Sequence, residues 1–129
     1  MQNIDCTEPR VVRVGLKTVL DLLAKWNCNQ QQIQALLKLP ENFDALSVEA
    51  SSFEEMSFSD EQVERVSYIL NIHAGLRVAF SNQKNVYGFM SMVNHASPFN
   101  GMLPIDFICN GDRQCLQRLQ AYIDGLINA

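Results

Sequence analysis

Residues 59–80 read "SDEQVERVSYILNIHAGLRVAF". The stretch opens on a helix start. Ser59 and Gln62 have the spacing of a capping box, in which each side chain satisfies the other's backbone N–H. Phe58 and Val63 flank it at the positions of a hydrophobic staple. Asp60 and Glu61 fall in the first turn, where the helix dipole favours negative charge. Beyond the cap, Val63, Val66, Ile69, Leu70, Ile72, Leu76, Val78 and Phe80 cover most of the helix circumference. A helix apolar on most faces is one surrounded by others. The segment therefore predicts a central helix with the rest of the chain arranged around it.

The flanking segments supply what surrounds it. Val12, Leu16, Val19, Leu23 and Trp26 recur at alternating steps of four and three, one face of a helix over about 11–26. In "NCNQQQIQALLKLP" (27–40), Asn29 and Gln32 form a second capping pair. Ile33, Leu36 and Leu37 make the inner face of a short helix that ends before Pro40. "NFDALSVEA" (42–50) reads as a third short helix with Phe43, Leu46 and Val48 as the inward candidates, and "SSFEEM" (51–56) as an acidic loop. A helix is expected from about Asn82, with Val86, Phe89, Met90 and Val93 inward. Pro104 suits the first turn of a short helix in "LPIDFICN" (103–110). The last helix is expected over about 112–127, with Leu116, Leu119, Ile123 and Leu126 inward. No segment alternates with period two over a strand's length. The fold class is all-α, with about six or seven helices. The organisation is a helix-turn-helix-like unit over 10–58, a linking helix over 59–81 and a small C-terminal helical unit over 82–129.

Composition narrows the function. The 129-residue chain is 47% hydrophobic, enough for a buried core, and has no apolar run of membrane-spanning length. Its first ten residues lack the apolar core of a secretory signal, so a cytoplasmic protein is expected. Cys6, Cys28, Cys109 and Cys115 form no CxxC pair, and with two histidines they do not give zinc spacing. They read as free thiols, with Cys109 and Cys115 as small buried apolar groups rather than a redox pair. No glycine-rich phosphate loop, HExxH or GxSxG is present, so neither a cofactor nor an enzyme is expected. His73, between Leu70 and Leu76, reads as a half-buried histidine with a hydrogen-bond partner. Asp106 and Asp112 read as helix-start residues rather than paired catalytic carboxylates.

Charge is uneven. The net charge is −4, yet residues 39–64 hold eight acids and no Lys or Arg. A helix-turn-helix must present phosphate-binding or base-reading groups. Here the candidates are Lys38, Asn42 and Ser47, set among Glu41, Asp44 and Glu49. Acids beside DNA phosphates are repelled, so promoter DNA is a weak expected partner.

The stretch "NHASPFNGMLP" (94–104) combines loop residues with two large apolar ones, Phe99 and Met102. Either Phe99 closes the core from within, or the loop is a surface for another protein.

These segments together resemble the Xre/MbcA/ParS-type antitoxins. "WNCNQQQIQALLKL" (26–39) is similar to the start of their Xre-like helix-turn-helix. Residues 56–80 resemble their linking helix, matching at Ser59, Asp60, Arg65, Ser67, Leu70, Ile72, Leu76, Arg77 and Phe80. Residues 92–126 resemble their C-terminal toxin-binding domain. There an Asn, an apolar residue before Gly, a Pro-apolar-Asp and a Gly-Asp precede a last helix ending Tyr-apolar-Asp. The matching positions are Asn94, Phe99, Gly101, Pro104, Ile105, Asp106, Gly111, Asp112, Leu116, Tyr122, Ile123 and Asp124.

The resemblance implies an antitoxin that sterically neutralises a cognate toxin, often a RES-domain enzyme that consumes NAD. It implies a helix-turn-helix able to bind the operon's own promoter, and a homodimer within the complex. The partner-binding residues it implies are Asn94, His95, Phe99, Asn100, Gly101, Met102, Pro104 and Asp106. Two departures stand out. The third helix is acidic where the family carries Arg or Lys, and Met102-Leu103 precede Pro104 where the family has Arg, Lys or Ser. The alternative reading is a helix-turn-helix DNA-binding transcriptional regulator without a toxin partner.

Overall fold

The computed structural model describes residues 9–39, 58–109 and 112–128. The third short helix expected near 42–50 lies outside them, as do Asn42, Ser47, Cys6 and Gly111. Among the described residues the fold is all-α. The helices are α1 (Pro9–Lys25), α2 (Gln30–Leu37), α3 (Asp60–Ala79), α4 (Gln83–Gly88), α5 (Pro104–Ile108) and α6 (Arg113–Ile127), with a 3₁₀ turn at Phe89–Ser91 after α4.

Local chemistry sets the boundaries. Asn29 and Ser59 each close a reciprocal capping box, with Gln32 and Gln62 respectively. Asn82 caps α4 through Asn85 N, and Asp112 caps α6 through Gln114 N. At the end of α1, Asn27 takes a positive φ of 63°, Cys28 N donates to Leu23 O and Asn27 N to Ala24 O. This double bond at a left-handed residue is a Schellman ending, and it frees the chain to turn into α2 at once. Lys38, φ 55°, is the left-handed residue that ends α2, with Lys38 N and Leu39 N both donating to Gln34 O. The left-handed residue, one place ahead of the position that Pro40 restricts, is therefore what stops α2.

α3 packs against α1, α2, α4 and α6, which is why its apolar residues cover most of its surface. It runs parallel to α6. Arg113 pairs with Glu64 near the start of both helices, and Gly75 lies against Ile123 near their ends. One hydrophobic cluster joins all segments, from Leu16, Val19, Leu23 and Trp26 through Ile69, Ile72 and Leu76 to Leu116, Leu119 and Ile123.

Arg65 is the one buried charged residue among the described residues, at 1% exposure. Its Nη1 donates to Leu36 O at 3.0 Å, and its Nε and Nη2 donate to Glu61 Oε1 at 3.3 and 3.1 Å. Gln62 Nε2 donates to Lys38 O at 2.8 Å. The last carbonyls of a helix have no partner within it. Two side chains of the first turns of α3 therefore satisfy the end of α2 and fasten the two helices together.

Two expectations of facing are corrected. Val93 is exposed, because the chain leaves the helical path at Met92, whose backbone is extended. Leu126 is also exposed, in the last turn of α6 beyond the contact with α3.

Candidate partner-binding surface

The loop 94–104 is built on a single antiparallel bridge. Asn94 N donates to Met102 O at 3.1 Å, and Gly101 N donates back to Asn94 O at 2.8 Å. Within it, Asn94 Oδ1 accepts from Ala96 N at 2.9 Å, the short-range turn that asparagine favours. Phe99 N and Asn100 N both donate to Ala96 O, and Met102 N donates to Phe99 O. The reversal needs two left-handed residues, Asn100 at φ 52° and Gly101 at φ 97°. Only glycine and, less readily, asparagine take that region without strain. The Ser97–Pro98 peptide is cis.

Phe99 holds this loop from below. It is 1% exposed, with ring centroids 5.0 Å from Tyr122, 5.3 Å from Phe107 and 6.5 Å from Phe89, all edge-on. Phe89 also lies 5.8 Å from Phe80 and 6.1 Å from Tyr122. Edge-to-face pairs at these separations add attraction beyond area burial. Asn94 Nδ2 reaches Tyr122 Oη at 3.4 Å, a long contact from the loop edge to the same ring.

The expected partner-binding residues therefore divide. Phe99 and Pro104 are buried, Pro104 as the first residue of α5. Their side chains shape the loop from inside, so Phe99 takes the internal of its two expected roles. His95, Asn100, Gly101, Met102 and Asp106 are exposed, and Asn94 is half-buried. Lys38 is exposed, with its backbone committed to ending α2.

The apolar surface sits on the arms of the bridge. Met92, Val93 and Met102 are 62%, 57% and 46% exposed. A depression of about 250 Å³ next to them is lined by Phe80, Asn85, Phe89, Met92, Val93 and Asn94. A second depression of about 420 Å³, more polar, lies on the α6 side of the loop and is lined by Ser97, Pro98, Asn100, Arg118, Ala121 and Tyr122. Met92, Val93 and the Phe80–Phe89 wall were not among the residues expected from sequence. Their signal was the run Met92-Val93 directly before a turn-forming Asn.

No three His, Cys, Asp or Glu side chains among the described residues are grouped to hold a metal ion. No helix among them is long and apolar enough to cross a membrane. His73 stacks on Tyr87 at 5.7 Å, and Lys25 Nζ lies 5.0 Å from the centroid of the same tyrosine ring. Burial lowers the His73 pKa, and the nearby Arg77 and Lys25 charges lower it further. The hydrogen-bond partner expected for His73 is absent at Nε2, which is buried without one among the described residues. Cys115 is buried in the core and Cys109 is half-buried.

No family model, curated protein or solved structure matches the sequence.

Proposed function

We propose that the chain is an antitoxin, a binding protein that neutralises a cognate toxin by covering it with the surface around the 94–104 loop. The observation that carries this reading is the pairing of a rigid base with an apolar rim. Buried aromatics fix the loop from below, while Met92, Val93 and Met102 are left facing solvent. Exposed apolar groups on a pre-formed support suit protein contact, because little ordering is lost on binding. The resemblance to Xre/MbcA/ParS-type antitoxins supplies the class of partner, a toxin enzyme such as the NAD-consuming RES type. In this reading the chain itself performs no catalysis.

The test is co-expression with the protein encoded by the neighbouring reading frame. Growth arrest by that protein alone, relieved by this chain, is the expected result. Val93→Glu with Met102→Glu should abolish the relief while the purified variant keeps its unfolding midpoint. A double variant that still relieves arrest and co-purifies in equal amounts would remove these arms from the contact. A neighbouring product that is harmless would remove the antitoxin reading itself.

A further inference from the structure

His73 and Arg77 lie four positions apart on α3, a spacing that puts both on one face of the helix. With residues of the α3–α4 turn and of α4 they line a depression of about 480 Å³. Ser81 and Asn82 add polar side chains to the lining, and Phe80 adds an apolar one. Tyr87, from α4, lines it as well and is the point where three elements meet. His73 stacks on the Tyr87 ring at 5.7 Å, and Lys25 Nζ, at the end of α1, lies 5.0 Å from the centroid of that ring. Among the described residues no acid lines the depression, and neither Arg77 nor Lys25 has an ion pair; the pairs there are Arg65–Glu61 and Arg113–Glu64. We propose that this depression is a binding site for a small organic phosphate, a phosphomonoester whose two charges are met by Arg77 and Lys25.

Charge and donors select this class of ligand. Arg77 and Lys25 are exposed, so both charges are open to an incoming anion. Burial, Arg77 and Lys25 all lower the pKa of His73, so its imidazole is neutral near pH 7 and forms wall rather than adding a third charge. Two positive charges match a phosphate dianion, whereas a carboxylate carries only one. A phosphate also presents three oxygens that accept hydrogen bonds. The Arg77 guanidinium can meet two of them as a fork, with Lys25 acting as a point charge. The Ser81 hydroxyl is a further donor. Asn82 Oδ1 already accepts from Asn85 N at 2.8 Å, which leaves its NH₂ group to donate.

Size argues for an organic group on the phosphate. Small-molecule sites span roughly 300–1,000 Å³, and this depression falls within that range with Phe80 as an apolar wall. Phe80 is the one lining residue it shares with the depression beside Met92 and Val93, and no residue of the 94–104 loop lines it. The proposal therefore does not depend on what that loop binds. The depression beside the loop offers an internal control, since it is lined by a single cation, Arg118.

The test is an NMR titration of the full-length chain with phenyl phosphate, inorganic phosphate and benzoate, each at neutral pH and constant ionic strength. Phenyl phosphate should give saturable shifts at Arg77, Ser81, Asn82 and Tyr87. It should bind several-fold more tightly than inorganic phosphate, which lacks the ring, and about tenfold more tightly than benzoate, which lacks the second charge. Arg77→Gln should weaken phenyl phosphate about tenfold and Lys25→Gln several-fold, while Arg118→Gln leaves it unchanged. Arg77 and Lys25 are exposed, so both variants should keep the unfolding midpoint of the unaltered chain. Should Lys25→Gln lower it, Arg77→Gln against Arg118→Gln still decides. Shifts that climb without saturating, shifts as large around Arg118 as around Arg77, or an affinity indifferent to Arg77→Gln would overturn the site. Benzoate bound as tightly as phenyl phosphate, or inorganic phosphate bound as tightly, would overturn the ligand class.

Discussion

Adding one methyl group at Gly75 tests the packing on which the whole arrangement rests. A Cβ built there would lie 2.7 Å from Ile123 Cγ2, a distance that real Cβ atoms do not tolerate. Ile123 is fully buried in the core, so it has no open space into which to move. Two effects oppose each other in Gly75→Ala. Alanine favours the helix over glycine by about 1 kcal/mol, while overpacking a filled interior costs about 1–3 kcal/mol. Gly125, on α6, isolates the first effect, since nothing lies within 4 Å of its built Cβ. Gly125→Ala should therefore stabilise by roughly 0.5–1 kcal/mol, and Gly75→Ala should fall below it by about 1–3 kcal/mol. For a chain of this length that gap is roughly 4–12 °C in Tm, taking about 4 °C per kcal/mol. Thermal and denaturant unfolding of both variants measures it. In an Ile123→Ala background the clash is gone, and Gly75→Ala should become neutral or stabilising, a coupling that a double-mutant cycle reads directly. Equal stabilisation by both alanines, with no coupling to Ile123, would refute the parallel contact of α3 with α6.

Three further outcomes follow from the same packing. Phe99→Ala empties the centre of the aromatic cluster and should destabilise by about 3–5 kcal/mol in denaturant unfolding, with secondary structure otherwise retained. Arg65→Met keeps the apolar stem but leaves Leu36 O without its donor. A loss of about 1–3 kcal/mol is expected, with hydrogen exchange faster in α2 than in α6. Because the folded-state pKa of His73 lies below its usual 6.5, the unfolded chain takes up the proton first as the medium is acidified. Stability from this group is full above about pH 6.5 and is lost as pH falls from there through the lower folded value. His73→Phe should flatten that part of a Tm-against-pH profile.

The caps were legible in the sequence because they are local. Asn29 with Gln32 and Ser59 with Gln62 satisfy backbone groups three residues away, and any chain carrying those pairs before an apolar helix gains the same bonds. The centrality of α3 was legible for a related reason, since only a helix with neighbours all round can bury apolar residues on most faces. Facing was misread at Val93 and Leu126 because periodicity holds only while the helix lasts and a neighbour is present. The backbone turns extended at Met92, and Leu126 lies in the final turn of α6. What joins distant segments left no local trace. The guanidinium of Arg65 reaches a carbonyl 29 residues away, and Phe99 is enclosed by rings from α5, α6 and the 3₁₀ turn.

That enclosure decides which variants can speak to binding. From sequence, Phe99 and Met102 form a natural pair to remove together, since both are large apolar residues in one loop. In the structure they do different work. Phe99 is 1% exposed and Met102, which pairs with Asn94 in the bridge, is 46% exposed. Removing Phe99 undermines the loop, so any weakened binding would be indistinguishable from lost stability. Met102→Ser and Val93→Ser alter only side chains that face solvent, and each should change stability by no more than about 0.5 kcal/mol. If a partner covers these arms, burying each side chain contributes roughly 1.5–3 kcal/mol before ordering costs. The double serine variant should then weaken binding at least tenfold in calorimetry with the partner, at an unchanged Tm. Unchanged affinity at unchanged Tm would show that the apolar arms lie outside the contact. Weakened affinity with a lowered Tm would instead show that the arms, like Phe99, support the fold.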